Sequence, residues 1–142
     1  MSEDLVKAAI KARTGAHAPY SDFFVGCAVE SEDGEIALGA NMENGCYRLG
    51  VCAEQSALAA AQIAFGLDKV VRLVVVGGSH AADGSKPGEP VMPCGGCRQA
   101  ILEAASLSGR DIEVTCCDHT GKQRVVTSIS ALLPAAFTFE KG

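Results

Sequence analysis

The chain has 142 residues, 48% of them apolar, and a formal net charge of −5. That length suffices for one domain with its own core, expected over residues 1–142, and no apolar run approaches the roughly 18–20 residues of a membrane-spanning helix. The acidic start Met1-Ser2-Glu3-Asp4 lacks a leader's basic and apolar regions, and the scattered Lys and Arg offer no polyanion-binding face. No membrane and no nucleic-acid partner are therefore expected. Seven cysteines without a secretion signal point to the reducing cytoplasm.

Over residues 3–16, Leu5, Ala8, Ala9, Ala12 and Ala16 share one helical face, and Gly15 and Pro19 mark its end. Short strand-like runs follow at 25–30 and 35–39, with Asp33-Gly34 between them as a hairpin turn. Residues 41–51 have no period and read as a polar loop. A helix is predicted over 52–65 with Gly66 at its cap. The β-branched run 70–76 predicts a strand buried on both faces. The Gly/Ser/Pro-rich stretch 77–93 predicts a long loop. A helix over 95–105, strands over 112–117 and 124–127, and a short helix over 129–133 complete the chain. Helices alternating with the later strands predict an α/β fold, a mixed sheet covered on both faces.

Chemistry concentrates in two stretches. Cys52-Ala53-Glu54 opens one helix-prone run, and Pro93-Cys94-Gly95-Gly96-Cys97-Arg98-Gln99 opens another. Three thiolates can hold one Zn²⁺ tetrahedrally and leave the fourth position for water, as a catalytic site requires; Glu54 would then be a proton shuttle, not a ligand. The bland readings explain less. A redox pair needs no third thiol. A structural zinc site needs a fourth ligand, for which Cys46 or a histidine is available, but neither reading uses Glu54. Cys27, Cys116 and Cys117 lie in apolar runs and read as small buried hydrophobes. Cys46, in the polar loop, either lines a site or packs. His17, His80 and His119 fall in turns or loops and read as solvated side chains, so a Cys–His hydrolase is a poor fit.

The pattern C-x-E … P-C-x-x-C is the general signature of zinc deaminases, with cysteine in the place of histidine. Three further blocks carry the resemblance. Tyr20-Ser21-Asp22-Phe23-Phe24-Val25-Gly26 resembles Y-S-x-F-x-V-G. Asn41-Met42-Glu43-Asn44-Gly45-Cys46-Tyr47 resembles N-[VI]-E-N-[AG]-x-Y, and Leu132-Leu133-Pro134-Ala135-Ala136-Phe137 resembles L-L-P-x-x-F. Five blocks in this order, from Tyr20 to Phe137, are similar to the small homotetrameric cytidine deaminases of the three-cysteine zinc type.

The resemblance implies a three-layer α/β/α sandwich around a five-stranded mixed sheet, one Zn²⁺ per chain on Cys52, Cys94 and Cys97, and Glu54 as the catalytic acid–base. It implies a nucleoside substrate, with Asn41 and Glu43 on the ribose hydroxyls and Phe23 against the base. Ala53 would donate its N–H to O2 of the pyrimidine, and Met92 would accept from the amino group through its backbone carbonyl. Gly45, Cys46, Tyr47 and Phe137 complete the expected substrate-binding set, where subunits of a homotetramer share pockets. The implied reaction turns cytidine or deoxycytidine into uridine or deoxyuridine in pyrimidine salvage.

Three departures stand out. Gln55 occupies a position where many three-cysteine relatives carry arginine, with Arg98 and the helix dipoles as candidate sources of compensating charge. Met42 is an apolar replacement, and the 77–93 stretch is longer than usual. A deaminase of blasticidin-type nucleosides is the rival within the fold, against which Asn41, Glu43 and Phe23 argue. A non-catalytic zinc module is the rival outside it.

Overall fold

A computed structural model describes residues 2–79 and 85–139. Among the described residues, helix α1 (Ser2–Arg13) leads into strands β1 (Phe23–Ser31) and β2 (Ile36–Ala40). Helix α2 (Ala53–Ala64), strand β3 (Val70–Ser79) and helix α3 (Gly95–Ser108) follow. Strands β4 (Glu113–Asp118) and β5 (Arg124–Ser128) and the short helix α4 (Ile129–Leu132) end the chain. The five strands form one mixed sheet in the order β2-β1-β3-β4-β5, with β3 and β4 parallel and the other neighbours antiparallel.

Alternation along the strands sorts the core into two layers. On one face Leu5, Val6 and Ala9 of α1 pack on Ala28, Val74, Val76 and Cys117. On the other, Ala53, Ala57, Leu58 and Ala61 of α2 and Ile101 and Ala104 of α3 pack on Cys27, Val29, Leu73, Val75, Val114 and Cys116. The β3 run reads as continuously apolar because Leu73 and Val75 serve one layer and Val74 and Val76 the other. Each such side chain, fully buried, contributes about 1.5–3 kcal/mol. The three cysteines read as buried hydrophobes, Cys27, Cys116 and Cys117, are indeed fully buried in these layers.

Two glycines let the helices sit this close. A Cβ on Gly26 would lie 2.1 Å from Ala9 O, and one on Gly39 would lie 2.2 Å from Ala57 N. The second contact presses α2 against β2 and fixes the height of its first turn, where the metal motif begins.

Several sequence expectations need adjusting. Helix α1 stops at Arg13, not at 16: the N–H groups of Thr14, Gly15 and Ala16 bond to carbonyls three residues back, a tighter turn than the α-helix, while the Arg13 guanidinium reaches three carbonyls of β1 and β3. Gly66, at φ +98°, follows the α2 cap residue Phe65 instead of being the cap; both N–H groups return to Ala61 O. Strand β3 runs on through Gly77, Gly78 and Ser79, which pair with Val25, Phe24 and Phe23, so the first three residues of the predicted 77–93 loop belong to the strand. The 41–51 loop is more ordered than its aperiodic sequence implies: Met42 bridges His17 and Val51, and Tyr47–Leu49 form a 3₁₀ turn.

Candidate metal centre and active site

Helices α2 and α3 begin side by side, and each has a cysteine as its N-cap residue: Cys52 for α2 and Cys94 for α3. Cys97, one turn into α3, points back toward them. The sulfur atoms of Cys52, Cys94 and Cys97 lie within 4.8 Å of one another, and among the described residues this trio is the group gathered closely enough to share a metal. Tetrahedral zinc with Zn–S bonds of about 2.3 Å places sulfurs about 3.8 Å apart, so the trio fits with little adjustment. Cys46 is exposed, donates from its backbone N–H to Asn44 Oδ1 at 2.8 Å, and stands outside the group; a four-cysteine site is not formed.

The acid–base properties of the trio also ask for a cation. At Cys94 the N–H of Cys97 outweighs burial and pulls the thiol pKa down, as expected at a helix N-terminus. Burial raises Cys52 and Cys97, and the Glu54 charge adds to the effect at both. The helix start thus lowers the thiol pKa at Cys94 alone: the other two sit deeper, where desolvation wins. A divalent cation among them reverses this balance, since a coordinating thiol is deprotonated outright.

Glu54 stands in the first turn of α2 and is only 4% exposed. Burial pushes its carboxyl above the usual range, against hydrogen bonds from its own N–H and from Cys97. A carboxyl poised to hold a proton beside three thiols is suited to general acid–base work. Gln55 next to it turns its amide to the trio: Nε2 donates to Cys97 Sγ at 3.7 Å. Arg98 does not take that part. Its Nε donates to Pro93 O and its Nη1 to Leu132 O, both at 2.8 Å, so it tightens the turn before Cys94 instead. The sequence offered Arg98 as a source of charge but gave no sign of Gln55 as a sulfur hydrogen-bond donor.

The remaining predicted residues fall into two groups. Phe23, Asn41 and Glu43 meet at the start of β1. Asn41 donates from Nδ2 to Phe23 O and accepts from Val25 N–H, both at 2.9 Å. Glu43 Oε1 accepts from the N–H groups of Tyr20 (3.0 Å) and Ser21 (3.2 Å), and Oε2 accepts from Ser21 Oγ at 2.5 Å. The Ser21 hydroxyl is the main reason that the Glu43 carboxyl lies below its ordinary range. The Tyr20-Ser21 pair thus has a specific task that its sequence block did not disclose. Ala53 is fully buried at the first position of α2, where a helix leaves its N–H without an intrahelical partner.

Gly45, Tyr47, Met92 and Phe137 form the second group. Met92 is half exposed beside buried Pro93, and Tyr47 and Phe137 are 86% and 72% exposed. A Cβ on Gly45 would approach Tyr20 Oη to 3.1 Å. Phe137 is tied to α3 through Gln99 Nε2, which donates to its carbonyl at 3.1 Å. One expectation fails: His119 is not a solvated side chain. It is only 8% exposed, with Nδ1 3.8 Å from Asp118 Oδ2, because the loop returning from β3 passes over it. His17 is exposed as expected, and His80 lies outside the described residues.

Fold and site together define an α/β protein with a three-thiolate metal centre at two helix N-termini. The family described as the cytidine and deoxycytidylate deaminase zinc-binding region matches residues 1–108. The chain is 43% identical over 136 residues to the cytidine deaminase of Halalkalibacterium halodurans, covering 96% of this chain and 93% of that protein. It is similar to the crystal structure of cytidine deaminase from Burkholderia pseudomallei, with a TM-score of 0.82 and 38% identity over 96% of this chain and 99% of that one. The structure of cytidine deaminase from Mycobacterium tuberculosis aligns with a TM-score of 0.74 and 32% identity, covering 97% and 98% of the two chains. The chain belongs to the zinc-binding cytidine and deoxycytidylate deaminase family.

Proposed function

We propose that the chain is a zinc-dependent hydrolase of free pyrimidine nucleosides, converting cytidine and deoxycytidine, with water, to uridine and deoxyuridine and ammonia. The observation that carries this reading is the buried carboxyl of Glu54 beside three convergent thiols at the starts of α2 and α3. A structural zinc site has no use for such a carboxyl, and burying one there is costly.

Cys52, Cys94 and Cys97 are the residues that would hold the metal, and zinc bound there would supply a water activated near neutral pH. Glu54 accepts a proton from that water and delivers it to N3 of the pyrimidine, which makes C4 electrophilic. Once the carbon–oxygen bond has formed at C4, Glu54 takes the second proton from the new C4 hydroxyl to the exocyclic amino group, and the carbon–nitrogen bond breaks to release ammonia and leave a C4 carbonyl. The N–H of Ala53 orients the base through O2. The carbonyl of Met92 accepts from the amino group. Asn41 and Glu43, held by β1 and by the Tyr20-Ser21 turn, face the ribose hydroxyls, and Phe23 packs on the ring.

The whole chain acts as one catalytic domain in pyrimidine salvage, in the cytoplasm, as a homotetramer. The support for assembly is apolar surface: Tyr47, Leu49, Ile63, Phe137 and Phe139 are each more than 60% exposed. Gly45, Cys46, Tyr47 and Phe137 then complete a neighbour's pocket. Ammonia release and the ultraviolet change on cytidine, deoxycytidine, cytosine and dCMP, measured side by side, test the reaction. Turnover of the two nucleosides and not of the base or nucleotide is expected. Light scattering at a mass other than four chains would refute the assembly.

A further inference from the structure

The long loop between β3 and α3 is tied down at both ends by charged side chains that the chemistry above does not use. On the outgoing side Arg13 donates from Nε to Phe24 O at 2.9 Å, and from Nη2 to Gly78 O at 2.8 Å and Ser79 O at 3.1 Å. On the returning side the anchor is Asp118, the last residue of β4, fully buried. Its Oδ2 accepts from the Gly88 N–H at 2.7 Å.

The other bonds of this carboxylate are local. Thr120 Oγ1 donates to it at 2.7 and 2.9 Å, and Gln123 N–H reaches Oδ1 at 3.1 Å. Those close the β4–β5 turn, a task for which a short polar side chain with one acceptor oxygen is enough. The bond to Gly88 spans a different part of the chain. Desolvation of a buried carboxylate is compensated only by such charge-assisted bonds, and here they prevail, holding the Asp118 pKa below its ordinary value although burial alone would raise it.

Residues 85–89 of the returning limb are exposed, and Gly88 lies against the His119 ring, where a Cβ would be 3.6 Å from Nδ1. After Gly88 the chain is fixed again where Val91 N–H donates to Cys117 O at 3.1 Å, and once more where Arg98 grips Pro93 O. Met92 lies between those last two points, immediately ahead of Pro93 and Cys94.

We infer that Asp118 is a positioning residue: by holding Gly88 it aligns the returning limb and so sets where Met92 presents its carbonyl to the leaving amino group. This rests on the role proposed above for Met92. The base and ribose contacts come from Phe23, Asn41 and Glu43 on other elements, so substrate affinity is affected far less than turnover.

The test uses the full-length, zinc-loaded protein and two variants. Gly88→Pro removes the N–H donor and leaves the carboxylate to its own turn; Gly88 has no positive φ that proline would oppose. Asp118→Asn removes the charge. Since a displacement of about 1 Å near a reacting group can cost on the order of 10²-fold, each variant is expected to lower kcat on cytidine roughly ten-fold or more, with KM within about two-fold and zinc content unchanged. The double variant should be no worse than the poorer single one, because both break the same contact. Amide exchange should quicken at residues 88–92 in Gly88→Pro while the 119–123 turn stays protected. A folded, zinc-loaded Gly88→Pro with wild-type kcat would overturn the inference and leave Asp118 as the closure of a hairpin. If Asp118→Asn does not fold, Gly88→Pro decides alone. If the wild-type protein does not deaminate cytidine, the proposed function fails separately, and unchanged exchange at 88–92 in Gly88→Pro would then refute the anchor itself.

Discussion

The starts of α2 and α3 carry the same device, an N-cap cysteine, in opposite surroundings. At α2 the two residues after the cap, Ala53 and Glu54, are buried, and the helix is pressed onto β2 over Gly39. At α3 the cap Cys94 and the next two residues are exposed, and a Cβ on Gly95 would meet nothing within 4 Å. The buried end holds the Glu54 carboxyl, whose pKa burial raises. The open end holds Cys94, whose pKa the N–H of Cys97 lowers. The site thus joins a buried half to an exposed half, and each half is set by what packs against its helix.

The largest effect should come from breaking the joint between the halves. Cys52→Ala, Cys94→Ala and Cys97→Ala should each abolish or nearly abolish zinc binding, measured as metal per chain, whereas Cys46→Ala and Cys116→Ala keep one zinc. Loss of metal in Cys46→Ala would mean that the halves close around a fourth thiol. Next comes Glu54→Gln, which keeps the packing of the buried half and removes its proton chemistry. Zinc content should survive while kcat falls by at least the roughly 10²–10⁴-fold expected for losing a general acid–base.

The contrast in packing can be tested without touching the chemistry. Gly39→Ala forces a methyl against the α2 backbone and should lower stability by about 1–3 kcal/mol, the usual cost of overpacking. Gly95→Ala, with open space around it, should be neutral or slightly stabilising, as alanine favours helix over glycine by up to about 1 kcal/mol. Equal losses in denaturant titrations would show that the two helix starts are packed alike.

Two smaller effects are read against pH. Asp118, which holds the chain leading to the open half, has a folded pKa below its unfolded value of about 3.9. Its contribution is therefore present in full above that value and is lost as pH falls through the folded pKa. Unfolding measured from about pH 5 downward should show a shallower acid loss in Asp118→Asn than in wild type. The smallest change expected is in Gln55→Arg. Gln55 already donates to Cys97 Sγ, so the variant adds charge to an existing contact. A cation there favours the more negative ionisation state of the site, and the acid limb of kcat/KM should move to lower pH. A limb moved upward would contradict that electrostatic argument.

The sequence alone determined the order of the elements, a sheet covered on both faces, and the three cysteines that the fold gathers closely enough to share a metal. Period-two and helical patterns are local, and the motif C-x-E … P-C-x-x-C names its ligands by residue type and spacing, since a soft metal tolerates few alternatives. What depends on neighbours distant in the chain was decided only by the tertiary structure. Arg13 reaches carbonyls of β1 and β3, far from it in the chain. The stretch 77–79 joins β3, despite two glycines and a serine, because β1 offers it partners. Burial divides the three ligand thiols into one lowered and two raised, which no spacing predicts. Gln55 finds a sulfur, Arg98 two carbonyls, and Asp118 the Gly88 N–H, because hydrogen bonds follow distance in space and not along the chain.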